Sequence, residues 1–193
     1  SFTKAISFTP NSAEAYRRRA MSKRELKDYN GAIIDFNKAI ELDPKNSRAF
    51  AGRGMAKESN GDVNGAMNDY TRAIQLDARY ENAFFYRARL RYNQKDYAGS
   101  LTDYNQVIAL NPKNSNAYNN RGLAKERLND VNGALHDYEQ AVAIDPNNEV
   151  ARRNLARLKE GRASSGEKNT GIVSGASPTT SAIALEGIWK CEG

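Results

Sequence analysis

The 193-residue sequence contains one cysteine, one histidine, one tryptophan and five prolines. A lone thiol, Cys191, closes no disulfide within the chain, which fits a reducing setting such as the cytoplasm. His136 and Cys191 lie in different segments and make neither a Cys–His dyad nor a zinc site. No apolar run approaches the roughly 20 residues of a membrane span. No basic-then-apolar secretory pattern opens the sequence. No strand pattern leads into a phosphate-binding glycine loop. The carboxylates are many, but they recur at a fixed interval, which points to architecture. No catalytic residue, metal or cofactor is therefore expected in residues 1–161.

Charge excludes less. The net charge is +6. The segment after Gly161 balances Arg162, Lys168 and Lys190 against Glu167, Glu186 and Glu192, so the excess lies before it. That favours an acidic partner and is too small to argue for nucleic acid.

What the sequence does have is self-similarity. In Ser115–Asn148 apolar residues recur at spacings of three and four on both sides of Asn129-Asp130, and Asp145-Pro146 ends the second run. That is a pair of helices joined by a tight turn. Tyr118 recurs as Phe84, Phe50 and Tyr16, and Tyr138 as Tyr104, Tyr70 and Phe36, always 34 residues apart. One such hairpin cannot bury its apolar face alone, so the units must stack. First helices are expected near 13–26, 47–60, 81–94 and 115–128, and second helices near 30–42, 64–76, 98–110 and 132–144. Gly31, Gly65, Gly99 and Gly133 recur near the start of every second helix, which suggests either a close backbone contact or shared descent.

The pattern resembles the tetratricopeptide repeat (TPR) family through Tyr16, Ala20, Ala32, Phe36 and Pro44; Phe50, Gly54, Ala66 and Tyr70; Phe84, Ala88, Tyr104 and Pro112; and Tyr118, Gly122, Ala134, Tyr138 and Pro146. Ser100 stands in for Ala in the third copy and Ala78 for Pro in the second. The resemblance implies an all-α, right-handed superhelical solenoid with units at 13–46, 47–80, 81–114 and 115–148. Phe2, Ala5, Ile6 and Pro10 precede Phe36, Ala39, Ile40 and Pro44 by one repeat, so residues 1–12 read as the second helix of a truncated earlier unit. Residues 149–161 read as a capping helix with Arg153, Arg157 and Lys159 on its wet face and Gly161 as C-cap. The Ser/Thr/Gly-rich 162–181 reads as a flexible linker. The apolar 182–193, with Trp189, is an apolar tail, the first strand of another domain, or a segment that docks into a groove.

Departures from the family pattern matter too. Arg19, Arg53, Arg87 and Arg121 stand where Leu is usual, and Lys23, Lys57, Arg91 and Lys125 where Tyr is usual. The second helices carry Asp35, Asp69, Asp103 and Asp137, and the turns Asp28, Asp62, Asp96 and Asp130. Antiparallel packing pairs residues in reverse order around a turn. The expectation is a structural ladder Arg19–Asp35, Arg53–Asp69, Arg87–Asp103 and Arg121–Asp137, with the Lys/Arg91 series nearer the turn aspartates. Those aspartates have helix capping as their alternative role. The rival reading makes the arginines a ligand-facing stripe. His136 is expected on the surface.

In the family, the first helices line a concave face where partner peptides lie. Carried over by position, that groove holds Arg17, Arg18 and Met21; Arg48 and Met55; Asn82, Phe85, Tyr86 and Arg89; and Asn116, Asn119 and Asn120. These residues vary between copies while packing positions do not, as a site grafted on a scaffold should. The carboxylate clamp of some chaperone-binding members is mostly absent, since its places hold Arg17, Met21, Gly52, Asn82 and Tyr86. The expected role is a non-catalytic scaffold for a protein or peptide partner. The alternatives are a recruiting arm of a larger enzyme, or self-association into a homo-oligomer through the tail. No nucleic acid and no membrane partner is expected.

Overall fold

The computed structural model describes residues 11–164. Most of the segments read from sequence as a truncated unit (1–12) and a linker (162–181), and all of the one read as an apolar tail (182–193), lie outside the described residues. Four helical hairpins follow one another: α1 (Ala13–Glu25) with α2 (Tyr29–Leu42), α3 (Ser47–Ser59) with α4 (Val63–Leu76), α5 (Glu81–Asn93) with α6 (Tyr97–Leu110), and α7 (Ser115–Arg127) with α8 (Val131–Ile144). A last helix, α9 (Glu149–Ser164), packs on α8 and α7. There is no strand among the described residues.

Local chemistry sets each boundary. Ser12, Asn46, Asn114 and Asn148 accept the backbone N–H three residues on, at 2.9–3.2 Å, and so start α1, α3, α7 and α9. At the turns, Asp28, Asp62, Asp96 and Asp130 each accept the N–H of the glycine three residues on at 2.9 Å. The second helices consequently begin at residues 29, 63, 97 and 131, one position earlier than the sequence pattern placed them. A Cβ on Gly31, Gly65, Gly99 or Gly133 would collide with the capping carboxylate, which gives the recurring glycine a close contact as its physical reason. The residue before each capping aspartate turns through the left-handed region: Lys27 (φ 63°), Gly61 (88°), Lys95 (66°) and Asn129 (62°).

Hairpins close around one ring each. Phe36, Tyr70, Tyr104 and Tyr138 are all at most 1% exposed. Each large ring buried this way contributes on the order of 2–3 kcal/mol. They lie over the small residues of the facing helix: a Cβ on Gly54 would stand 2.8 Å from the Tyr70 ring, and one on Gly122 2.7 Å from the Tyr138 ring. At the equivalent alanine of the third hairpin's second helix stands Ser100, buried with its hydroxyl unpartnered.

The stack has a direction of curvature. Each first helix touches the next first helix, α1 to α3 to α5 to α7 to α9, whereas no second helix reaches the next second helix. The first helices therefore form the closed, inner wall. At the end of the stack, α9 runs through Gly161 to Ser164 instead of stopping at the glycine. Gly lowers helix stability by about 1 kcal/mol without forbidding it, and Arg162 anchors this turn by donating to Asn132 at 2.7 Å.

Candidate functional site

Behind the inner wall runs a row of charges. Arg19 gives Asp35 two hydrogen bonds of 2.7 Å, and Arg53–Asp69, Arg87–Asp103 and Arg121–Asp137 repeat the fork at 2.6–2.9 Å. All four carboxylates are buried. Each guanidinium lies 5.3–5.8 Å over the ring three residues before it, Tyr16, Phe50, Phe84 or Tyr118. The remaining nitrogen of Arg53, Arg87 and Arg121 reaches back one hairpin, to Asn37, Thr71 and Asn105. The guanidinium thus joins two helices of its own hairpin and the hairpin before it.

The second basic series goes elsewhere than expected. Lys23, Lys57, Arg91 and Lys125 sit 2.9–3.0 Å from the same buried carboxylates, not against the turn aspartates. Four residues separate each from its arginine, so both project from one helix face toward one partner. The turn aspartates are already engaged as caps; only Arg91 also approaches one, Asp96, at 3.7 Å. Burial alone would push the Asp35 carboxyl up. The hydrogen bonds and charges of Arg19 and Lys23 together outweigh it and hold that carboxyl below its usual range.

On the groove side, the first hairpin presents Arg17 forked onto Glu14 at 2.7 and 2.8 Å, with Arg18 on the same carboxylate at 2.5 Å. The bond from Arg17, aided by Arg18, lowers the Glu14 carboxyl to about 2 against the opposing effect of burial. Arg17 also meets the Met21 sulfur. Arg48 on α3 and Asn82 on α5 are both exposed. Phe85 and Tyr86 are half-buried and perpendicular; Tyr86 stacks on Tyr70 at 5.9 Å, and Phe85 meets Tyr104 edge-on at 5.7 Å. Arg89 covers Tyr86 and bonds Glu58, whose other oxygen accepts the Tyr70 hydroxyl at 2.7 Å. Burial first, and that bond second, push the Tyr70 phenol up.

The fourth hairpin is an amide surface. Asn116 is exposed and accepts from Asn148. Asn119 lies under the surface at 4% exposure, its amide committed to Asn120 and Asn154. Asn120 is half-buried, accepts from Asn119 and bonds Tyr104. Arg157 is exposed, as its place on the wet face implies, and from there it donates to Glu126 at 2.6 and 2.9 Å, while Glu126 also accepts the Tyr138 hydroxyl. His136 is exposed on α8.

Tyr80 escaped the sequence reading. It occupies the place of Ser12, Asn46, Asn114 and Asn148, and α5 alone among these helices starts without a side-chain cap. Its ring packs instead against the buried cluster between the second and third hairpins, to which Ala51, Tyr70 and Ala83 belong. Burial raises the phenol, while Asn82, Arg48 and Arg17 act on it in the opposite sense. The signal was available as the one break in a row of capping residues.

Models of the tetratricopeptide repeat match residues 13–46, 47–80 and 115–148, and a further TPR repeat model matches 88–129. The chain is a tetratricopeptide repeat protein. No curated relative matches it. Among solved TPR-like structures, MamA is 22% identical over 78% of this chain and 82% of its own, with a TM-score of 0.70. PilF of Pseudomonas aeruginosa is 19% identical over 79% and 69%, at 0.74. These two speak for the fold alone. The first TPR of Spaghetti (RPAP3), solved with the HSP90 peptide SRMEEVD, is 26% identical over 63% of this chain and 96% of its own, at 0.59. Among the described residues no helix of this TPR stack is long and apolar enough to cross a membrane, and no cluster of potential metal ligands occurs.

Proposed function

We propose that this chain is a non-catalytic scaffold that holds an extended segment of a protein partner along the inner wall of α1, α3, α5 and α7. The observation that carries the reading is Tyr80. A helix cap worth about 1 kcal/mol is given up at one position of five, and the ring that replaces it packs, as Tyr86 does, against the buried cluster between the second and third hairpins. Local rules are broken in this way where a site is built. Around it, Tyr86 and Phe85 supply apolar area, Asn82, Asn116 and Asn120 supply amides able to donate to and accept from a peptide backbone, and Arg48 supplies charge. The peptide-bound TPR of Spaghetti (RPAP3) supports the mode of binding. It does not identify the ligand, because the clamp positions here hold Met21, Gly52 and Tyr86.

Selection from a peptide library tests the reading, with the intact chain set against Tyr80→Asn/Tyr86→Ala/Asn120→Ala. Enrichment of a peptide class that the triple variant loses, while circular dichroism stays helical, is the expected result. Enrichment that survives the substitutions moves the site off the inner wall.

A further inference from the structure

The inner wall alternates with a period of two hairpins. Near the end of the first helices of the first, second and fourth hairpins, one side chain meets the residue 31 positions on, in the next first helix. Between the second and third hairpins this rung is Glu58 with Arg89, at 3.0 Å; after the fourth it is Glu126 with Arg157. A phenol seals each of these, Tyr70 in one and Tyr138 in the other. The third-to-fourth rung carries Tyr92 and Leu123 at the same places, both uncharged.

The first rung breaks the rule in the other direction. Arg24 stands where Glu58 and Glu126 stand, and its partner place holds Met55, whose sulfur lies 2.9 Å from the guanidinium. Phe36, without a hydroxyl, replaces the sealing tyrosine. A thioether is a weak acceptor and carries no charge. The half-buried Arg24 guanidinium forms no ion pair with any described residue, nor does exposed Arg48 on the next first helix. The carboxylate of Glu58, the nearest in the pattern, is already bonded to Tyr70 and Arg89.

We propose that the first rung is an anion subsite, in which Arg24 takes a carboxylate side chain of the bound segment and Arg48 adds to the attracting field. The partner is then an acidic peptide segment. Its carboxylate supplies from outside what Glu58 and Glu126 supply from within, a charge-assisted hydrogen bond to a guanidinium on the wall. The inference rests on the groove reading above, and its test separates the two.

The probes are dye-labelled 12-residue peptides, one of alternating Glu and Leu and one with Gln for every Glu, followed by fluorescence anisotropy at low and high salt. The proteins are the full chain, Arg24→Gln, Arg24→Glu, and Arg72→Gln on the exposed face of α4 as a control. The Glu peptide should bind about tenfold tighter than the Gln peptide. Arg24→Gln should remove most of that advantage, Arg24→Glu should reverse it, and Arg72→Gln should leave it in place. An equal loss with Arg72→Gln would mean diffuse attraction to a basic protein and would overturn the subsite. Equal binding of both peptides, abolished by Tyr80→Asn/Tyr86→Ala, would overturn the subsite and keep the groove. Binding of neither peptide would overturn both.

Discussion

Asp103 is buried between two cations, Arg87 through a fork of 2.8 and 2.9 Å and Arg91 at 2.9 Å. Removing one partner from a buried pair leaves an uncompensated charge and is destabilising by about 3–5 kcal/mol. Because Arg91 remains, Arg87→Met is expected at the low end, about 3 kcal/mol in urea unfolding, and Asp103→Asn should be of similar size. A change below about 1 kcal/mol in both would show that the row contributes little. Asp35 adds a pH dependence. Its carboxyl is lower in the folded than in the unfolded chain, so its contribution is complete above the ordinary carboxylate range near pH 4 and is lost as the pH falls below it. Melting temperature followed from pH 6 to pH 3 should decline, and Asp35→Asn should flatten the decline. At this scale the sequence is only partly legible. The spacing identifies which charges recur, but not that Lys23, Lys57, Arg91 and Lys125 share the arginines' carboxylates. That depends on the turn aspartates being held as caps, a competition between two short-range bonds that a reverse-order argument does not weigh.

Helices are read from the sequence more securely, because four copies of one period constrain one another. Their starts follow side-chain caps, and the caps explain both the one-residue shift of the second helices and the recurring glycines. The exception is α5, and it makes the sharpest prediction of the groove reading. Tyr80→Asn restores the cap found at Asn46, Asn114 and Asn148 and should stabilise the chain by about 1 kcal/mol. The same substitution removes a ring from the inner wall and should weaken peptide binding. Opposite signs in a thermal melt and a binding titration are the expected outcome. If stability and affinity fell together, Tyr80 would be a packing residue and the argument from the missing cap would fail. The extension of α9 beyond Gly161 was not legible, since glycine read as a stop is also tolerated where a following side chain, here Arg162, ties the last turn to a neighbour.

For the whole stack, each hairpin touches only the hairpins beside it, so stability is a sum of units and interfaces. The ends then differ from the middle even where the packing is alike. Leu158 of α9, 9% exposed, covers Tyr138 at the end of the array, and Leu90 of α5, 2% exposed, packs between the third hairpin and the second. Truncating either to alanine removes the same atoms and is expected to lower local stability by about 2–4 kcal/mol. The consequences should separate. A cavity at Leu90 weakens a unit that both halves of the array depend on, so Leu90→Ala should shift the entire transition to lower temperature. A cavity at Leu158 weakens only the terminal interface, so Leu158→Ala should let α8 and α9 open early while the first three hairpins hold. Hydrogen exchange resolves the two cases, with protection lost throughout in the first and lost only near residues 131–164 in the second. Uniform loss in both variants would make the array a single cooperative unit, and the nearest-neighbour description would not apply to it.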